Sequence, residues 1–169
     1  PPKADAIFRP EMRVFLFLCI IFETPLAIVS PNLNLRTMDL TFSTPLKGNL
    51  VLCSDYRDAA LHRSPGLYKF VWVRRGCLWL EVDHIPMELR AGMLLPLTPL
   101  HTLDVTRAEG EYLILAFDSN FYCIFGHDGE VSCSGLLFNG SSEVLRLELS
   151  EMRTAALQRV VDDLRAEYG

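Results

Sequence analysis

LYKFVWVRRGCLWLEVDHIPMELRAGMLLPLTPLHTLDV, residues 67–105, decides how this chain is read. Short apolar runs alternate with breaks rich in glycine, proline and aspartate: RRG at 74–76, DHIP at 83–86 and RAG at 90–92. Turn chemistry of this kind between β-branched and aromatic runs is the signature of successive antiparallel strands. FVWV at 70–73 is apolar at both parities, as is YLILAF at 112–117. Strands of that kind are covered on two faces.

Outward from this stretch the same pattern continues. Strands are expected at 49–53, 67–73, 77–82, 93–97, 101–105, 112–117, 121–124, 131–138 and 144–149. Further breaks fall at SPG 64–66, AEG 108–110, HDG 127–129 and NGSS 139–142. Strands arriving at intervals of roughly 8–12 residues imply an all-β sandwich or barrel. The last segment changes period. Ser150 can cap a helix, with Glu151 in its first turn, where a negative charge complements the dipole. Met152, Ala156, Leu157, Val160, Val161, Leu164 and Tyr168 then recur at spacings of three and four, an amphipathic helix with one apolar stripe. Arg153, Arg159, Asp162, Asp163, Arg165 and Glu167 are assigned to the opposite, polar face. The stripe packs either on its own sheet or on a twin helix, and the spacing alone leaves both open.

Residues 1–37 read differently from the rest. VFLFLCIIF at 14–22 is too short for a bilayer, which needs about 20 residues. Glu23 and Pro25 interrupt it, and no small-residue cleavage pattern follows, which disfavours a secretory signal. Met38 opens a stretch that reads as a domain start, so the expected organisation is an appendage over 1–37, a β domain over 38–149 and a helix over 150–169. The net charge of −5 comes with no basic stripe, so these residues carry no electrostatic footprint for nucleic acid. Five cysteines, an odd number in a chain apolar enough to need no staples, point to reduced thiols and a cytoplasmic setting.

The chemistry-bearing residues are few. Cys123, His127, Asp128 and Cys133 cluster in NFYCIFGHDGEVSCSGLLF, 120–138, without the close Cys-x-x-Cys pair that zinc sites favour. Core packing of the two cysteines across a hairpin is preferred over a metal site or a redox pair. His101 has only His62 as a histidine partner toward a metal, no His-x-His is present, and Lys69 would repel a cation. No nucleophile elbow, dinucleotide fingerprint or phosphate loop occurs. Neither a metal, a cofactor nor a catalytic residue is therefore assigned. Trp72 and Trp79 flank the RRG break and serve either as core or as walls for a flat, apolar small molecule.

With these residues in place, the chain resembles the cupin-type sensor domain of AraC-family transcription regulators. The resemblance rests on 67–105, with its aromatic strand, glycine turn and Gly–apolar–Pro–His ending at His101. It rests also on 120–140, and on the strand and helix VLRLELSEMRTAALQRVVDDLRAEY at 144–168. It implies a cupin jelly roll (an RmlC-like barrel) followed by an amphipathic helix. It further implies a small-molecule effector held by Tyr68, Trp72, Trp79 and His101. A homodimer would form through Leu157, Val160, Val161 and Leu164. DNA would be contacted only through helix-turn-helix units outside these 169 residues, with no membrane involved. HRSPGLYKF at 62–70 stands where enzymatic cupins carry His-x-His and Glu, which argues against catalysis. The alternatives are a metal-dependent cupin enzyme using His62 and His101, and a stand-alone cupin binding module.

Overall fold

In the computed structural model, residues 40–43, 49–54, 66–121 and 144–168 are described. Strands β1 (Leu40–Ser43), β2 (Asn49–Cys53), β3 (Tyr68–Val82), β4 (Ile85–Arg90), β5 (Met93–Leu97), β6 (Leu103–Phe117) and β7 (Leu147–Glu148) precede helix α1 (Glu151–Tyr168). The strands join in one open antiparallel sheet, ordered β1-β2-β6-β3-β5-β7, with β4 also paired to β3. The architecture is all-β with a C-terminal helix. The expected strands at 121–124 and 131–138 lie almost wholly outside the described residues, as do residues 1–37 and the Cys123, His127, Asp128 and Cys133 cluster.

The centre of the sheet corrects the reading of its breaks. RRG and AEG do not end strands. β3 and β6 each run for 15 residues and pair along their whole length, from Tyr68 with Phe117 to Val82 with Leu103. Gly76 faces Gly110 across this ladder, at φ 76 and 118, conformations that side-chain-bearing residues seldom adopt. A Cβ on Gly76 would overlap the Glu109 carbonyl, and one on Gly110 would overlap the Arg75 carbonyl. The glycines permit a close backbone approach inside a strand, where turn chemistry implied an end. Register shifts at Val73/Arg75 and Trp79/Leu80 mark bulges. Each bulge reverses which parity faces which side.

β1 and β4 are the strands that the sequence reading did not anticipate. Asp83 and His84 both take positive φ, the conformation of a two-residue hairpin turn, and deliver Ile85 opposite Val82. Ala91 and Gly92 then cross the edge of β3 at the first bulge, donating to the Gly76 and Val73 carbonyls at 3.0 and 2.9 Å. So β4 and β5 occupy successive halves of the same edge. Asp118 closes the opposite end of β6 by accepting from the Asn49 backbone N–H at 3.1 Å and from Asn49 Nδ2 at 2.7 Å.

The sheet has two buried faces. On one, Val71, Val73 and Ile114 share a cluster with Leu78, Leu80 and Leu103 from beyond the bulges. On the other, Phe70, Trp72, Leu113 and Leu115 meet α1. Ser150 caps the helix as expected: its carbonyl accepts from Thr154 at 2.9 Å, and its Oγ receives the Arg153 N–H at 3.4 Å. Leu157, Val160, Val161 and Leu164 are 0, 2, 0 and 0% exposed within the single chain. Burying such side chains contributes about 1.5–3 kcal/mol each, enough to hold the helix on the sheet. The stripe therefore packs on its own sheet. Met152, assigned to the same stripe, is instead 72% exposed at the first turn. Among the described residues no helix is long and apolar enough to cross a membrane.

Candidate functional site

The four effector-site residues expected from the sequence do not gather around one cavity. Tyr68 and Trp72 lie on the helix-covered face. Tyr68 stacks on Phe117, with ring centroids 5.6 Å apart. Trp72 is 1% exposed between its cross-strand neighbours Leu94 and Leu113. Trp79 stands beyond the first bulge, half-buried, with the Arg107 guanidinium 4.8 Å from its ring centroid. It lines an open cleft of about 320 Å³ with Glu81, Pro86, Met87, Glu88 and Thr106.

His101 is a turn residue. Its backbone N–H donates to the Thr98 carbonyl at 3.1 Å, and its Nδ1 accepts the Thr98 N–H at 3.0 Å. The imidazole thereby staples the β5–β6 connection. The strand expected from residue 101 starts instead at Leu103. Asp83, at the facing hairpin, accepts from the Thr102 N–H at 2.8 Å and from the Thr102 hydroxyl at 3.0 Å. The Thr102 N–H is the main reason the Asp83 carboxyl is held below its ordinary range, with the nearby His101 and His84 adding to it. Its folded pKa lies below the unfolded value of about 3.9, so this stabilisation is complete above that value and is lost as pH falls through the folded one. Asp83→Asn is accordingly expected to flatten the acid limb of a stability-versus-pH curve measured by urea unfolding. A wild-type slope in the variant would remove Asp83 from the account.

Lys69 is the buried cation of the other face. It is 1% exposed, and its register partners Ala116 and Leu97 both belong to the cluster that α1 does not touch. Burial pushes its pKa down. Among the described residues no three His, Cys, Asp or Glu side chains converge on a point, and His62 lies outside those residues.

The site that sequence reasoning missed is at the seam between α1 and the first bulge. The Trp72 indole N–H is buried without a hydrogen-bond partner, as are Nε and one Nη of Arg165. The Arg74 guanidinium lies 5.8 Å from the Trp72 ring centroid. Burial depresses the Arg74 pKa, attraction to Glu111 opposes this, and repulsion from Arg165 adds to it. Two cations and an indole donor thus share one neighbourhood. No ion pair joins Arg74 or Arg165 to a carboxylate among the described residues. The nearby carboxylates are engaged elsewhere. Glu111 bonds Arg75, which holds its carboxyl below the usual range, and Asp162 accepts from Gln158 Nε2 at 2.7 Å. A signal for this seam existed in the sequence, since Arg74 follows an aromatic strand. Arg74 has the strand parity of Phe70 and Trp72, the side that meets α1.

No protein-family model matches the chain, and no curated protein is significantly similar to it. The functional reading therefore rests on the residues themselves.

Proposed function

We propose that this chain is the effector-sensing domain of an AraC-type transcription regulator, a cupin jelly roll without catalytic activity that acts in the cytoplasm. A small molecule would be read through the contact between the sheet and α1, and DNA would be contacted by a separate helix-turn-helix part. One observation carries this reading: the whole Leu157–Leu164 stripe is docked over Trp72 and Phe70, at a seam that ends in buried donors without partners. A helix held by apolar contacts beside unsatisfied polar groups has a reason to change its packing when those groups acquire a partner.

In this scheme the docked helix is one of two states. In the other, Leu157, Val160, Val161 and Leu164 leave the sheet and pair with a twin helix to form the homodimer. An effector shifts the balance only through different affinities for the two states, and a tenfold preference corresponds to about 1.4 kcal/mol. Tyr68 and Trp72, beneath the helix, are the aromatic walls of the expected effector site that this mechanism uses.

A thermal-shift screen of the chain against small metabolites tests the proposal. A ligand at 100 times its Kd is expected to stabilise the chain by about 2.7 kcal/mol, and the same compound should alter amide exchange along α1. A stabilising compound that leaves α1 exchange unchanged would contradict the coupling.

A further inference from the structure

We propose that the open cleft beside Trp79 is a binding site for a small primary amine that carries a flat apolar body. The cleft has a volume of about 320 Å³. Trp79, Pro86 and Met87 wall it, and Glu81, Glu88 and Thr106 supply its polar side chains. None of these residues belongs to the cluster that α1 covers, so the site is separate from the sensor contact and does not rest on that reading. Trp79 is half-buried and packs into neither buried cluster of the sheet. The largest side chain in this half of β3 therefore serves the wall of a cleft rather than the core. The Arg107 guanidinium, 4.8 Å from the ring centroid, bonds Glu109 and is not a wall of the cleft.

The hydrogen-bonding chemistry of the cleft selects the guest. Glu88 lies opposite Trp79 on β4, and Glu81 follows Trp79 on the same face of β3. Ionised carboxylates only accept hydrogen bonds. Thr106 is the extra residue of the second bulge, between Val105 and Arg107 in the ladder, and its hydroxyl donates to the Trp79 carbonyl at 3.0 Å. With that proton committed, the Thr106 oxygen can only accept from a guest. All three oxygen-bearing side chains therefore call for a donor, and the charge asks for a cation. Arg90 bonds Glu88 at 2.9 Å, an exposed pair of little strength. The Glu81 carboxylate has no hydrogen bond or ion pair among the described residues. Asp104 stands opposite Glu81 on β6, a like-charge pairing that a cation relieves. An ammonium group suits Glu81 and Thr106, while the indole, Pro86 and Met87 suit an apolar ring.

The test is an NMR titration of the intact chain at constant ionic strength, following the indole N–H signals of Trp72 and Trp79. The probes are benzylamine, benzyl alcohol as its uncharged counterpart, and methylamine, which has the charge without the ring. Benzylamine is expected to shift the Trp79 signal and to bind at least about tenfold more tightly than either of the others, a difference of about 1.4 kcal/mol. Glu81→Gln keeps the size of the side chain and removes its charge. It is expected to weaken benzylamine by about tenfold and to leave benzyl alcohol unchanged, with no fall in the unfolding midpoint, since no partner of the carboxylate is lost. Trp79→Leu identifies the Trp79 signal and is expected to weaken benzylamine and benzyl alcohol together. Benzylamine no tighter than benzyl alcohol, methylamine bound equally well, benzylamine affinity unchanged in Glu81→Gln, or a shift confined to Trp72 would overturn the site.

Discussion

Leu164→Asp is expected to unfold the chain, with a loss of more than about 4 kcal/mol in urea denaturation. The side chain is fully buried in the cluster that contains Phe70, Trp72 and Leu115. Leu164→Ala removes its contacts and leaves a cavity, at a cost of about 2–5 kcal/mol. Aspartate adds a charge for which the apolar seam has no counter-ion. Val160→Asp, one turn earlier at 2% exposure, should behave in the same way. Met152→Asp is the internal control: it carries the same chemistry on the same helix at 72% exposure, and is expected to change stability by no more than about 0.5 kcal/mol. The comparison separates the two roles open to the stripe. Were the stripe covered by a twin helix alone, Leu164→Asp would yield a folded monomer of ordinary stability. With the stripe on its own sheet, the fold itself is lost.

The second large effect belongs to the paired glycines. Gly76→Ala is expected to cost about 2–6 kcal/mol, by the same measurement. About 1–3 kcal/mol comes from backbone strain at φ 76, and a further 1–3 or so from the overlap with the Glu109 carbonyl. The contact is backbone on backbone, so no side chain can rotate away to relieve it. Gly92→Ala isolates the strain alone: its φ is 84, but its nearest neighbour would be the Leu149 carbonyl at 3.8 Å, an ordinary contact. The expected order is therefore Gly76→Ala well below Gly92→Ala in stability. Equal losses would mean that the β3–β6 ladder does not approach as closely as described.

These glycines also explain where the sequence could be read and where it could not. The helix was legible because three- and four-residue spacing survives any tertiary context, and its cap used a residue suited to the task. The all-β character was legible because alternating apolar runs and turn residues are local. The continuity of β3 and β6 was not. RRG and AEG have the composition of turns, and only their meeting across the ladder shows that glycine is there for close approach. β4 was hidden because IPMELR carries a proline and two charges, which a strand tolerates at an edge and would not tolerate at the centre.

The site suffered from the same cause. Unbroken alternation would set Trp72 and Trp79 on opposite faces; the bulge after Val73 reverses β3, so that both lie away from the side of Leu78 and Leu80, yet Trp79 ends at an open cleft under Arg107. His101 had the position of a pocket wall, yet its ring bonds the Thr98 backbone three residues earlier, a local turn interaction that no pattern of apolar residues encodes. Arg165 was assigned to the polar face from helical spacing alone. Which long side chains fold back into a seam depends on what lies across it, and that information resides in β3.

Amide exchange along α1 in the ligand-free chain, at a concentration where sedimentation reports a monomer, tests the docked helix most directly. Amides from Leu157 to Leu164 are expected to be protected from exchange in the monomer, because the stripe is docked on the sheet. Fast exchange of α1 beside protected strands in the monomer would contradict it.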